Sequence, residues 1–112
     1  MLIYKILRAQ EWAEFNARFI HHGVPVDISD GFIHFSTAAQ LAETARRHFG
    51  GETELMVVCV KANRLGSGLV WEASRGNALF PHLYAPLHMS DVLWARPIVA
   101  GPEGHILPEG VV

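Results

Sequence analysis

Cysteine occurs once in the chain, at Cys59, so no disulfide can form within it and no cysteine-based zinc pattern exists. Cys59 lies inside the apolar run Leu55–Val60, where a buried, inert thiol is the expected state. No stretch reaches eighteen apolar residues, which excludes an apolar membrane-spanning helix. Charge of one sign is also scarce: nine Lys and Arg stand against eleven Asp and Glu, for a net charge of −2. The longest basic run is the pair Arg46-Arg47, so a broad nucleic-acid or membrane-surface footprint is not expected. The Gly-x-Ser-x-Gly elbow of hydrolases, a phosphate loop and a dinucleotide glycine fingerprint are all missing. Seven histidines invite a metal reading, but there is no His-Glu-x-x-His helix, His21 and His22 are adjacent, and His82 and His88 are six apart. Nothing local supports a shared metal site for His34, His82 and Glu72, so no metal is assigned. The chain opens directly into Leu2-Ile-Tyr-Lys-Ile-Leu7 without a basic segment or cleavable apolar core, and a cytoplasmic protein is expected.

What is present is a single-domain pattern. Half of the 112 residues are apolar, enough for one two-layer core, with residues 2–99 as its body and 100–112 as a surface tail. Leu2–Arg8 reads as a first strand, in which Lys5 is an odd entry among apolar neighbours. Trp12, Phe15 and Phe19 at spacings of three and four predict a helix over Gln10–Phe19, ended by His21-His22-Gly23. Val24–Asp30 then reads as a loop, and Gly31–Ser36 as a strand that points Phe32, His34 and Ser36 to one face and Ile33 and Phe35 to the other. Thr37 followed by Gln40 is a capping box that starts a second helix, which Gly50-Gly51 stops. The Val-rich run Leu55–Val60 predicts a central strand, and Leu69–Ser74, Phe80–Leu87 and Val92–Val99 predict further strands.

Two strand pairs carry the chemistry. His34 and Ser36 share one face of a strand, and His82 and Tyr84 share a face of another. His34 is suited to donate to a ribose or phosphate, or to act as a base near neutral pH; the alternative is a core imidazole satisfied by a backbone carbonyl. Ser36 reads more readily as part of the helix cap than as a nucleophile. Glu72, flanked by Trp71, which is expected in the core rather than as a stacking platform, and followed by Arg75, either orients a ligand hydroxyl or simply pairs with Arg75. Polar groups at a strand end beside a helix N-terminus suit an anionic ligand.

With Tyr4-Lys5-Ile6, Asp30-Gly-Phe-Ile-His-Phe-Ser-Thr37, Trp71-Glu-Ala-Ser74 and Phe80-Pro-His-Leu-Tyr84 together, the chain resembles the small bacterial proteins grouped as domain of unknown function 952, from Ile3 to about Ile98. That family name implies no reaction. A more distant resemblance is to the ADP-ribosyltransferase fold, a split, bent sheet that grips NAD in the cleft between its halves. Tyr4-Lys5, Gly31 through Ala45 and His82-Leu-Tyr84 occupy its motif positions in order, with Lys5 where His or Arg is usual and His82 or Tyr84 where an acid is usual. The resemblance implies an α+β fold: one small domain with a bent or split, mostly antiparallel sheet and about two helices. It also implies a cleft for a nucleotide or an ADP-ribose- or NAD-like ligand, with transferase or hydrolase-type chemistry. On this reading His34, His82 and Glu72 are catalytic, while Lys5, Ser36, Thr37, Arg75 and Tyr84 bind the ligand. The alternatives are a non-catalytic ligand- or protein-binding module, or purely structural roles for the same residues. The expected partner is a small molecule, and the oligomeric state is open, with a homodimer through Ile106-Leu107 or Val111-Val112 as one option.

Overall fold

The computed structural model describes residues 1–112. Strand β1 (Leu2–Arg8) leads into helix α1 (Ala9–Arg18), the short strand β2 (Ile20–His21), helix α2 (Pro25–Asp30), strand β3 (Ile33–His34) and helix α3 (Ala38–Phe49). Strands β4 (Leu55–Lys61), β5 (Leu69–Ala73), β6 (Leu79–Leu83), β7 (Leu87–His88), β8 (Val92–Gly101) and β9 (Gly104–Ile106) follow. All strand pairs are antiparallel, so the architecture is α+β. No helix is long and apolar enough to cross a membrane.

A four-stranded sheet in the order β1-β4-β8-β9 forms the base, with the Val-rich β4 in its interior as its apolar run requires. Because side chains alternate, β1 and β4 feed two cores on opposite faces of this sheet. Ile3, Leu7, Val58 and Val60 meet Phe15 of α1 and Ile33, Phe35 and Leu83 on one face. Tyr4, Ile6, Val57 and Cys59 meet Leu41 and Ala45 of α3 on the other. Truncating Leu41, which is fully buried, to Ala costs about 2–5 kcal/mol by the usual transfer and cavity terms.

A second sheet, β3-β6-β5, joins the first at a single point. Ser36 and Tyr4 exchange both backbone hydrogen bonds (2.8 Å each), and beyond this bridge β1 and β3 diverge. The sheet is therefore split, and the gap between its halves is the cleft described below. Where the next rung of the ladder is missing, the Lys5 ammonium crosses the gap and donates to the His34 carbonyl at 3.0 Å. The odd lysine of the first strand is thus a substitute for backbone pairing.

Four expectations are corrected. There are three α-helices rather than two, because Val24–Asp30 is not a loop: Pro25 occupies the first turn of α2 and Asp27 turns back to accept from the Val24 amide at 2.9 Å. Gly31, at φ 90°, ends that helix in the left-handed region. The second strand is shorter than Gly31–Ser36, reduced to β3 and the Ser36 bridge. Residues 100–112 are more than a surface tail: β9 pairs with the end of β8, and Leu107 and Val111 pack against the core under α3. The Tyr4 hydroxyl accepts from the Val112 amide at 3.0 Å and lies 3.3 and 3.2 Å from the Gly110 and Val112 carbonyls, which holds the return of the chain onto the sheet. Trp71, expected in the core, is partly exposed on β5.

Candidate functional site

The cleft has a volume of about 520 Å³, within the range that holds a small organic ligand. It is lined by Tyr4, Lys5 and Arg8 of β1, Asp27 and Asp30 of α2, Thr44, His48 and Phe49 of α3, and His34, Ser36, Arg75, Phe80 and His82 from the second sheet and its connections. The register of that sheet places His34 directly opposite His82, so the two polar strand pairs share one face as their spacing predicts. Their imidazole centroids are 5.4 Å apart.

The two histidines have different surroundings. Asp27 Oδ1 takes the Nδ1 of His34 at 2.7 Å, and Asp30 Oδ2 faces its Nε2 at 3.0 Å. Both ring nitrogens of His34 are therefore committed to carboxylates, an arrangement that the imidazolium satisfies by donating from each. Asp27 is the hub of this side. Its Oδ2 pairs with the Lys5 ammonium at 3.0 Å and accepts from the Val24 amide, and its Oδ1 also accepts the His34 amide at 3.2 Å. Burial acts to raise the Asp27 carboxyl, but the His34 hydrogen bond, the Lys5 charge and the Val24 amide outweigh it and hold the group at about 2. Burial pulls the Lys5 ammonium below its ordinary value, against the attraction of Asp27. Asp27 and Asp30 are not singled out as site residues in the sequence because both fall in a segment that reads as a loop. A weak signal was present in Asp27 three residues after Val24, the spacing of a carboxylate that closes a first helical turn.

His82 has one nitrogen engaged and one free. Its Nδ1 lies 2.8 Å from Glu72 Oε1, and that same oxygen accepts from the Tyr84 hydroxyl at 2.7 Å. The Tyr84 and His82 hydrogen bonds lower the Glu72 carboxyl, and the Glu72 contact raises the Tyr84 phenol. Phe32 stacks on the His82 ring at 4.0 Å and 20°. Nε2 makes no hydrogen bond within the protein and is not sealed from solvent.

Several expectations change in detail. Glu72 does not pair with Arg75 and does not line the cleft; its bonds go to His82 and Tyr84, because alternation along β5 and β6 puts all three on one face. Tyr84, expected to line the cleft, does not: it is exposed and bonded to Glu72. Thr37, not Ser36, caps α3, through the reciprocal Thr37–Gln40 capping box, while Ser36 is buried with its hydroxyl 2.8 Å from that of Thr44. Arg75 lies over the Phe80 ring at 4.9 Å and reaches Thr44 Oγ1 at 3.4 Å, with no carboxylate within ion-pair distance. His48 is pushed down from its ordinary value by burial and then by the positive neighbours Arg75, Arg47 and His34.

The model of the family described as "Protein of unknown function (DUF952)" matches residues 6–95. The chain belongs to this family. It is similar to the crystal structure of protein CC0527 from Caulobacter crescentus, at 45% identity over 94% of this chain and 92% of that one, with a TM-score of 0.90. The solution structure of CC0527 is similar at 45% identity over 93% and 90% of the two chains, with a TM-score of 0.84. No curated protein matches the chain. The DUF952 membership and the likeness to CC0527 establish the α+β architecture and carry no reaction with them.

Proposed function

We propose that this DUF952 protein is a cytoplasmic binder of a phosphate-bearing small molecule of the nucleotide or ADP-ribose type, held in the cleft between the two halves of the split sheet. One observation carries the reading: Arg75 lines the cleft without a carboxylate partner, while its two aspartates are already engaged by Lys5 and His34. A cleft whose free charge is positive, with its own anions neutralised, suits an anion. Phosphate oxygens match the fork of Arg75. The aromatic rings of Phe49 and Phe80 in the cleft wall suit the flat base of a nucleotide. The unpaired Cys59 accords with a reducing compartment.

Thermal shift and calorimetry with AMP, ADP-ribose, NAD and inorganic phosphate test this. A ligand present at about a hundred times its dissociation constant adds about 2.7 kcal/mol, several degrees in a domain of this size. The expected result is a shift with the nucleotides that Arg75→Ala removes and that high salt weakens. Absence of any shift from all four compounds overturns the proposal.

A further inference from the structure

The arrangement around His82 is that of a base held ready for use. With the Glu72 carboxylate as acceptor, Nδ1 carries the proton of the neutral ring, which leaves the lone pair on Nε2. Glu72 is itself fixed by the Tyr84 hydroxyl, and Phe32 stacked at 4.0 Å fixes the plane of the ring. His82 lines the cleft whereas Glu72 does not, so Nε2 is the ring nitrogen available to a ligand there.

We propose that the cleft is catalytic, and that His82 Nε2 is the general base for hydrolysis of a phosphodiester bond in a nucleotide. This rests on the phosphate-binding reading above. The choice of phosphoryl over glycosidic chemistry follows from where the carboxylates are. Stabilising an oxocarbenium-like centre calls for a free carboxylate beside the sugar, and none is free in the cleft: Asp27 accepts four hydrogen bonds, Asp30 faces His34, and Glu72 is behind His82. Phosphoryl transfer calls instead for a positive group on the non-bridging oxygens, which Arg75 provides.

In the step, a water oxygen forms a bond to phosphorus as one of its protons passes to His82 Nε2. The ester P–O bond breaks, its electron pair leaves on the sugar oxygen, and that oxygen takes a proton from solvent. His82 then releases its proton to water, so the net change is diester plus water to monoester plus alcohol. Glu72 is a positioning residue that acts through His82.

The test is incubation of the full chain with 2′,3′-cyclic AMP, followed by ³¹P NMR, with binding measured in parallel by calorimetry. The expected product is the nucleoside monophosphate, and His82→Gln, which preserves a hydrogen bond to Glu72, lowers the rate by about 10²-fold or more. Glu72→Ala removes the acceptor that holds the proton on Nδ1, so it lowers kcat, leaves KM near the wild-type value and moves the acid limb of the pH–rate profile. Binding of the cyclic nucleotide without product, or a wild-type rate in His82→Gln, overturns the catalytic proposal and leaves the binding reading in place. No binding of 2′,3′-cyclic AMP, AMP or ADP-ribose overturns both.

Discussion

The Lys5 ammonium lies 3.0 Å from Asp27 Oδ2, with the two side chains 6% and 0% exposed. A charge pair this deep is costly to form and more costly to break, because removing one partner strands the other away from water. Lys5→Met and Asp27→Asn are each expected to lower unfolding stability by about 3–5 kcal/mol. The double variant is expected to lose less than the sum of the two, by a coupling of about 0.5–3 kcal/mol in urea denaturation. Strict additivity would show that the pair does not hold the split sheet together.

The depressed Asp27 carboxyl makes stability acid-sensitive in a defined window. Its folded value of about 2 is below the ordinary 3.8, so its contribution is complete above pH 4 and is lost as pH falls toward 2. At about 1.4 kcal/mol per unit, the contribution is about 2 kcal/mol. The stability gap between wild type and Asp27→Asn should therefore narrow by about that amount between pH 4 and 2, measured by thermal melts. A constant gap would assign the acid sensitivity to other carboxylates.

His21 gives a second, separate window. It is buried against Phe15 with its Nε2 unpartnered, and burial, followed by the Lys5 charge, lowers it from 6.5 to about 4. A histidine that resists protonation when folded stabilises the protein fully above pH 6.5 and progressively less down to pH 4, because the unfolded chain then binds the extra proton. The loss is about 3 kcal/mol over that range. His21→Leu should flatten the decline from pH 6.5 to 4 while leaving the Asp27 window unchanged.

The contact between Glu72 and His82 predicts a tautomer. Nitrogen-15 NMR of the neutral protein should show His82 protonated at Nδ1 and bare at Nε2, and Glu72→Ala, which removes the acceptor, should raise the Nε2–H form. Glu72 is partly exposed, so the same substitution should change stability by no more than about 1 kcal/mol. A His82 ring already protonated at Nε2 in the wild type would remove the basis for its role as a base.

Three of the four residues that the strand pattern paired, His34, Ser36 and His82, line the cleft. His34 and Ser36, His82 and Tyr84 were legible because side chains alternate along a strand whatever its partner, and the register between β3 and β6 then set the two histidines opposite each other. The cap at Thr37 was legible because a capping box is local. Asp27 was not, since its partners Lys5 and His34 stand far from it in the chain or beyond a glycine turn, and a carboxylate in a polar segment looks the same whether it is solvated or buried. Glu72 was legible as a candidate, but its nearest charged neighbour in sequence, Arg75, was the wrong partner: the turn at Gly76, with φ 65°, carries the chain from β5 to β6, where alternation brings His82 and Tyr84 beneath it.

The sequence by itself determined the elements whose signals are short-range: the apolar β4, the amphipathic α1 and α3, the strand faces, and the absence of disulfides and of a long apolar helix. Hydrophobic period and capping act within a turn or a strand, so they survive without knowledge of the rest of the chain. Only the tertiary structure decided that the sheet splits at the Tyr4–Ser36 bridge, that Lys5 spans the gap to Asp27, and that of two similar histidines one is clasped by two carboxylates while the other bonds the protein through one ring nitrogen alone. These are contacts between distant segments. They depend on register and on which charges burial forces to pair, and neither is written in any local run of residues.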